Sequence, residues 1–195
     1  MVTQFDSRYY ERFYLDPKTR VTDRAAIDRL GDFVCSYLHY LPLPVERVLD
    51  LGCGIGLWRD VITRQFPHAS YAGVEISDYL CETYGWQKGS VVDYRSRSRF
   101  DLVVCQGVLP YLDAKSAKLA VDNLGALCRG ALYLEAVTKD DFDDGIIDTR
   151  RTDGSMHMRR ASWYRRALTP HFEFLGGGVW LSKRAKTRVY ALERA

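Results

Sequence analysis

The sequence predicts an α/β fold: one domain over residues 1–195, built on a mainly parallel seven-stranded sheet with helices on both faces and an antiparallel hairpin near the C-terminal end. Three observations predict it. Short apolar runs alternate with stretches of helical periodicity, the pattern of repeated strand–helix–strand units. The stretch "VLDLGCGIG" (48–56) carries a strand directly into a glycine-rich turn that opens a helix. Finally, 195 residues with 47% hydrophobic side chains and six prolines suffice for a single packed core.

The elements follow in order. The first 20 residues are polar but rich in aromatics, with Tyr9, Tyr10, Phe13 and Tyr14 close together, which reads as a segment folding over the domain. From residue 22, Ile27, Leu30, Val34, Tyr37, Leu38 and Leu41 recur at spacings of three and four; Thr22 or Asp23 can cap this helix, and Pro42 and Pro44 end it. "RVLDL" is a buried strand, "LWRDVITRQF" a helix stopped by Pro67, and "SYAGVEI" a second strand. A helix at "DYLCETY", a brief strand near "WQKGS", a strand in "FDLVVCQ", a helix over 113–128 and a strand in "ALYLEAV" continue the alternation. Beyond residue 138 come a charged loop, a helix at "SWYRRAL", and "FEFLGGGVWL" with "TRVYALER", expected as an antiparallel pair. The chain thus divides into an N-terminal lid segment and helix (1–44), a ligand-binding core (45–138), and a substrate loop with hairpin (139–195).

Charge and cysteine content narrow the setting. The balance of 28 Lys+Arg against 25 Asp+Glu, a net +3, gives no support for nucleic acid or an anionic membrane as partner. Five cysteines, scattered and never in a C-x-x-C pair, suggest neither a disulfide framework nor a zinc site, and a reducing cytoplasm is the simplest setting. No apolar run approaches the roughly 18 residues that span a bilayer, so a soluble, unexported protein is expected.

A strand entering a glycine turn at a helix N-terminus lets a ligand lie against bare backbone beside free N–H groups. Glu75 ends the next strand, 19 residues past Gly56 (75 − 56), where a carboxylate can accept both hydroxyls of a ribose. An adenosine-type cofactor follows. A dinucleotide fingerprint would place its third glycine at Leu57, one position later than Gly56, which counts against a nicotinamide-dependent oxidoreductase; no Gly-Lys-Ser/Thr follows for a P-loop.

Taken together, "VLDLGCGIG", "GVEIS", "SVVDY" and "FDLVVCQGVLPYL" make the sequence resemble the class I S-adenosylmethionine-dependent methyltransferases, whose fold is Rossmann-like. The resemblance implies that Gly52, Cys53, Gly54 and Gly56 approach the methionine part of S-adenosylmethionine and that Asp50 faces its ammonium group. It implies that Glu75 holds the ribose and Ile76 packs on the adenine. Asp93, beside the Tyr94 backbone, would accept the adenine amino group, and Gln106, Gly107 and Val108 would line the methionine side. The product would be S-adenosylhomocysteine. Asp93 also reads as a turn residue and Tyr94 as core packing. A non-catalytic S-adenosylmethionine-binding partner subunit is the remaining alternative.

Methyl transfer from a sulfonium is an in-line displacement, so the protein must align the acceptor and exclude water. Candidates on the acceptor side are Tyr10, Tyr14, Tyr111, Glu135, Arg150 and His157. His157 is the leading candidate base because imidazole titrates near neutrality; Glu135 reads equally as a buried structural carboxylate. Arg150, Arg151 and Arg159 are candidates to hold an acidic group. Residues 139–160 hold six aspartates against five Lys+Arg, which reads as a self-neutralising solvated lid and not a metal site. Gln106 stands where metal-dependent catechol methyltransferases carry an acid, and "QGVLPY" replaces the Asn/Asp-Pro-Pro-Tyr/Phe motif of base-modifying relatives. The expected acceptor is therefore a small molecule, methylated on N or O by a monomer or homodimer.

Overall fold

A computed structural model describes residues 5–187 and 189–193. Seven strands form one sheet: β1 (Arg47–Leu51), β2 (Ser70–Glu75), β3 (Gln87–Lys88), β4 (Phe100–Gln106), β5 (Cys128–Glu135), β6 (Phe172–Gly176) and β7 (Val179–Ser182). Their spatial order is β3-β2-β1-β4-β5-β7-β6. The first five run parallel, and β7 is antiparallel to both β5 and β6.

The period-two alternation of a strand explains the two apolar layers. Val48, Leu102, Val104, Ala131, Tyr133, Val179 and Leu181 face one core. There they meet helices α2 (Arg24–Tyr40) and α3 (Leu57–Gln65), through Ile27, Val34, Leu38, Trp58, Val61 and Ile62. Leu49, Leu51, Val103, Cys105, Leu132, Leu134 and Trp180 face the other core. It is closed by α5 (Ala114–Leu127) and α7 (Ala161–Leu168). Strands buried on both faces must be apolar at nearly every position, which is why "VLDL" and "FDLVVC" read as continuous runs. Helix α4 (Asp78–Tyr84) links β2 to β3, and Asp23 caps α2 by accepting the Ala26 N–H at 2.8 Å.

Two elements depart from expectation. The hairpin is formed by "FEFLGGGVWL" and the following Ser182: Gly176, Gly177 and Gly178 all have positive φ and reverse the chain between β6 and β7. The stretch "TRVYALER" is not its second strand. It ends in a short 3-10 turn (Ala191–Glu193), and its Arg188 and Arg194 lie outside the described residues. The charged loop also begins with an unforeseen short helix, α6 (Lys139–Asp143), started by a reciprocal capping box between Thr138 and Asp141.

The N-terminal segment packs over the carboxyl edge of the sheet; its first four residues lie outside the described residues. Helix α1 (Ser7–Tyr10) continues as a π-helical turn (Glu11–Leu15). It is pinned where Ser77 Oγ donates to the Phe5 carbonyl at 2.6 Å. The Phe5 ring meets Tyr9 and Tyr111 edge-on, with centroids 5.0 and 5.2 Å away. No helix among the described residues is long and apolar enough to cross a membrane.

Candidate active site

Strand order reverses between β1, which turns to β2 on one side and meets β4 on the other, and ligands of open α/β sheets bind at such a switch point. A cavity of about 460 Å³ opens there. The glycine turn and the ends of β4 and β5 form its floor, the N-terminal segment one wall, and residues 146–156 the other.

The turn is set by backbone bonds and by what lies behind it. Gly52 and Cys53 N–H both donate to the Val74 carbonyl, at 2.8 and 3.3 Å. A Cβ at Gly52 would fall 2.3 Å from Val108 Cγ2, and one at Gly56 would fall 2.7 Å from Trp86 Cζ2. Those glycines therefore make room for protein side chains. Gly54 differs: its φ is +55°, a Cβ there would meet nothing within 4 Å, and the residue lines the cavity. Gly107, at φ +69°, does the same from the end of β4. Trp86, which the sequence marked only as part of a brief strand, supports the turn from behind by donating its indole N–H to the Gly54 carbonyl at 2.9 Å.

Asp50 is buried at the cavity floor and accepts the Tyr71 hydroxyl at 2.6 Å. Burial pushes its carboxyl up to about 7; the Tyr71 bond opposes the shift and the Glu75 charge adds to it. Burial raises the Cys53 thiol as well, which keeps it protonated and a poor nucleophile.

Glu75 is bound by three main-chain donors. Oε2 accepts Gly54 N–H at 2.9 Å, and Oε1 accepts the N–H groups of Ile76 and Ser77 at 2.7 and 3.0 Å. A carboxylate offers about four acceptor positions, so one is left. Glu75 is 3% exposed and lies outside the cavity lining, most of its accepting capacity being spent on the glycine turn and the start of α4.

Across the floor runs a side-chain network. Trp58 Nε1 donates to Gln106 Oε1 (2.7 Å), Gln106 Nε2 to Glu135 Oε2 (2.8 Å), and the Tyr133 hydroxyl to the same Glu135 oxygen (3.2 Å). Above it the Tyr9 and Tyr111 hydroxyls share a hydrogen bond of 2.8 Å. Burial raises the phenols of Tyr9, Tyr14 and Tyr111, and the charge of Asp153 raises all three further, so they remain neutral at physiological pH.

The cavity therefore gathers Asp50, Gly52, Cys53, Gly54, Gln106, Gly107, Tyr111, Glu135 and Tyr14 from the sequence candidates. Gly56 and Val108 stand behind it. Glu75 is buried outside the lining, and Ile76 (51% exposed) also lies outside it; Asp93 sits exposed in a turn, its N–H donating to the Ser90 carbonyl at 3.2 Å, and Tyr94 packs against the second core.

Four acceptor-side assignments need correction. His157 is exposed and lines no part of the cavity; its backbone N–H donates to the Pro110 carbonyl at 2.7 Å. Arg159 is buried with its guanidinium spent on the main-chain carbonyls of Leu109, Leu112 and His157. Arg150 points to solvent and pairs with Asp148 at 3.1 Å, and it is Arg151 that lines the cavity. Tyr10 is packed against Tyr9, Tyr14 and Tyr79 outside the lining. The sequence reading missed Trp58, Phe13, Met156 and above all Asp153, which it counted among the solvated aspartates. Among the described residues no group of three or more His, Cys, Asp or Glu is placed to hold a metal ion.

Comparison with known proteins identifies the family. A family model described as "Methyltransferase domain" matches residues 22–178. Trans-aconitate 2-methyltransferase of Pseudomonas aeruginosa is 26% identical over 140 residues, which cover 67% of this chain and 43% of that protein. The chain thus spans less than half the length of that curated relative. Among solved structures, DesVI of Streptomyces venezuelae superposes with a TM-score of 0.66 at 15% identity, covering 92% of this chain and 99% of that one. The N-methyltransferase NodS of Bradyrhizobium japonicum, in complex with S-adenosylhomocysteine, superposes with a TM-score of 0.58 at 16% identity, covering 90% and 97%.

Proposed function

The chain belongs to the methyltransferase-domain family, within the class I S-adenosylmethionine-dependent methyltransferases, and on that premise we propose that it methylates nitrogen or oxygen of a small molecule bound in the 460 Å³ cavity. The observation that carries this reading is the pair of left-handed glycines, Gly54 and Gly107, that face open space beside the buried carboxylate of Asp50.

S-adenosylmethionine, when bound, supplies an electrophilic methyl group on a sulfonium. The chain's own residues then do the rest. Gly54 and Gly107 leave backbone free for close approach, and Asp50, ionised, accepts the ammonium N–H of the methionine moiety. Glu75 accepts a ribose hydroxyl, and Ile76, Asp93 and Tyr94 bound the adenine side. The Trp58–Gln106–Glu135 network fixes the side chains at the floor, so that little reorganisation accompanies transfer. Tyr9, Tyr14 and Tyr111 close the cavity against water.

Calorimetric titration with S-adenosylmethionine, S-adenosylhomocysteine and NAD tests the reading, together with transfer of labelled methyl to a panel of small acceptors. Micromolar binding of both adenosyl ligands with NAD inert, and label transfer to at least one acceptor, is expected. Binding of NAD alone would overturn the assignment of the cofactor site.

A further inference from the structure

The acceptor side of the cavity carries a charge pattern that the methyltransferase reading leaves unused. Its lining holds the carboxylates of Glu135, Asp148 and Asp153 and one cation, Arg151. Arg151 is already engaged with Asp148 at 3.8 Å, and Asp148 also takes Arg150. Among the described residues no cation pairs with Glu135 or Asp153.

Asp153 is the more telling of the two. Its Oδ1 accepts the Ser155 N–H at 2.9 Å, whereas its Oδ2 is buried with no donor at good hydrogen-bonding geometry. The Tyr111 phenol stands beside this carboxylate, near enough to feel its charge and to reach it as a donor, although its hydroxyl is shared with Tyr9. Burying a carboxylate oxygen without a well-placed donor is costly, a cost that a donor on a ligand would offset. Glu135 receives its two bonds on Oε2 alone, from Gln106 and Tyr133. Tyr9, Tyr14 and Tyr111 all lie within reach of the Asp153 charge and Tyr14 within reach of Glu135 as well, and neutral phenol rings are surfaces that attract a cation.

We propose that the acceptor is an aliphatic amine, held as its ammonium ion by Asp153 and Glu135 against the rings of Tyr9, Tyr14 and Tyr111, and methylated on that nitrogen. This rests on the methyltransferase reading and names its substrate class. For transfer the ammonium gives one proton to water. The neutral nitrogen's lone pair then forms the N–C bond while the C–S bond breaks, its electron pair staying on sulfur as the thioether. The methylated nitrogen is left positively charged and can lose a further proton to water. A neutral amine needs no strong base, which accords with a site whose only nearby histidine, His157, lies outside the lining.

The test uses protein loaded with S-adenosylhomocysteine, titrated with benzylamine and hexylamine against benzoate and hexanoate, and labelled S-adenosylmethionine with the same four compounds for transfer. Wild type is compared with Asp153→Asn, Glu135→Gln and Arg151→Ala. The amines are expected to bind and accept label, with amine affinity falling about tenfold or more in Asp153→Asn and in Glu135→Gln while S-adenosylhomocysteine affinity holds. Asp153→Asn keeps the Oδ1 acceptor and removes an unpaired charge, so it should fold at least as stably as wild type. Amine binding that is absent, or unmoved in both carboxylate variants, overturns the proposal. So does label passing to the acids and lost in Arg151→Ala. If S-adenosylhomocysteine itself fails to bind, it is the methyltransferase reading that fails.

Discussion

Replacing Gly54 by alanine separates a ligand cradle from a structural turn. Gly54 and Gly85 are matched: φ is +55° and +72°, and an added Cβ meets nothing within 4 Å at either. Gly85 caps α4 outside the cavity, whereas Gly54 lines it. Alanine in the left-handed region costs roughly 1 kcal/mol, which for a chain of this size lowers Tm by about 2–4 °C in each variant. Only at Gly54 does the new methyl also occupy the space proposed for the methionine moiety. Calorimetry with S-adenosylhomocysteine should therefore show Kd raised at least about tenfold, some 1.4 kcal/mol, in Gly54→Ala and unchanged in Gly85→Ala. Equal Kd values in the two variants, with equal losses of Tm, would refute the argument that the open face of the turn is the cofactor's.

Four further outcomes follow from the same structure. Asp50, with its folded pKa raised to about 7 above its usual 3.8, binds its proton more tightly in the folded chain. Its ionisation therefore removes stability as pH rises from about 4 to 7, on the order of 4 kcal/mol at most, and Asp50→Asn should be the more stable form at pH 8 in urea titrations. Because the ionised form is the one proposed to accept the ammonium, S-adenosylhomocysteine should bind about tenfold more weakly at pH 6 than at pH 8; a flat profile would remove Asp50 from that role. Arg159→Met withdraws a buried donor from the carbonyls of Leu109 and Leu112 and should cost about 3 kcal/mol, or roughly 6–12 °C in Tm by scanning calorimetry. An unchanged Tm would contradict its placement as a clamp. His157→Ala should keep kcat within about twofold, whereas a loss of about a hundredfold or more would restore it as general base.

What was legible in the sequence divides along a physical line. Strands such as β1 and β4 are buried on both faces, so their apolar runs and the glycine turn between β1 and α3 announce themselves locally. The three glycines of "FEFLGGGVWL" were equally visible, yet the run was read as one strand, because the apolar residues on either side of the reversal hide it. The acceptor side was not legible, since its contacts span long separations. Arg159 finds its partners 47 and 50 residues upstream, and no local pattern distinguishes a buried guanidinium from a solvated one two residues from an exposed histidine.

Asp153 carries that argument furthest. By counting charges along 139–160 the loop balances, six acids against five bases, and every aspartate looks alike. In space they are unequal. Asp140 and Asp143 take Arg160 and Lys139, and Asp148 takes two arginines, so the bases are used up on the outer acids. Arg159, the remaining base, is drawn inward to main-chain carbonyls and neutralises none of them. The near-neutral loop thus delivers an unpaired carboxylate into the cavity. The charge of the proposed acceptor follows from where one arginine points, and not from the composition of the loop that binds it.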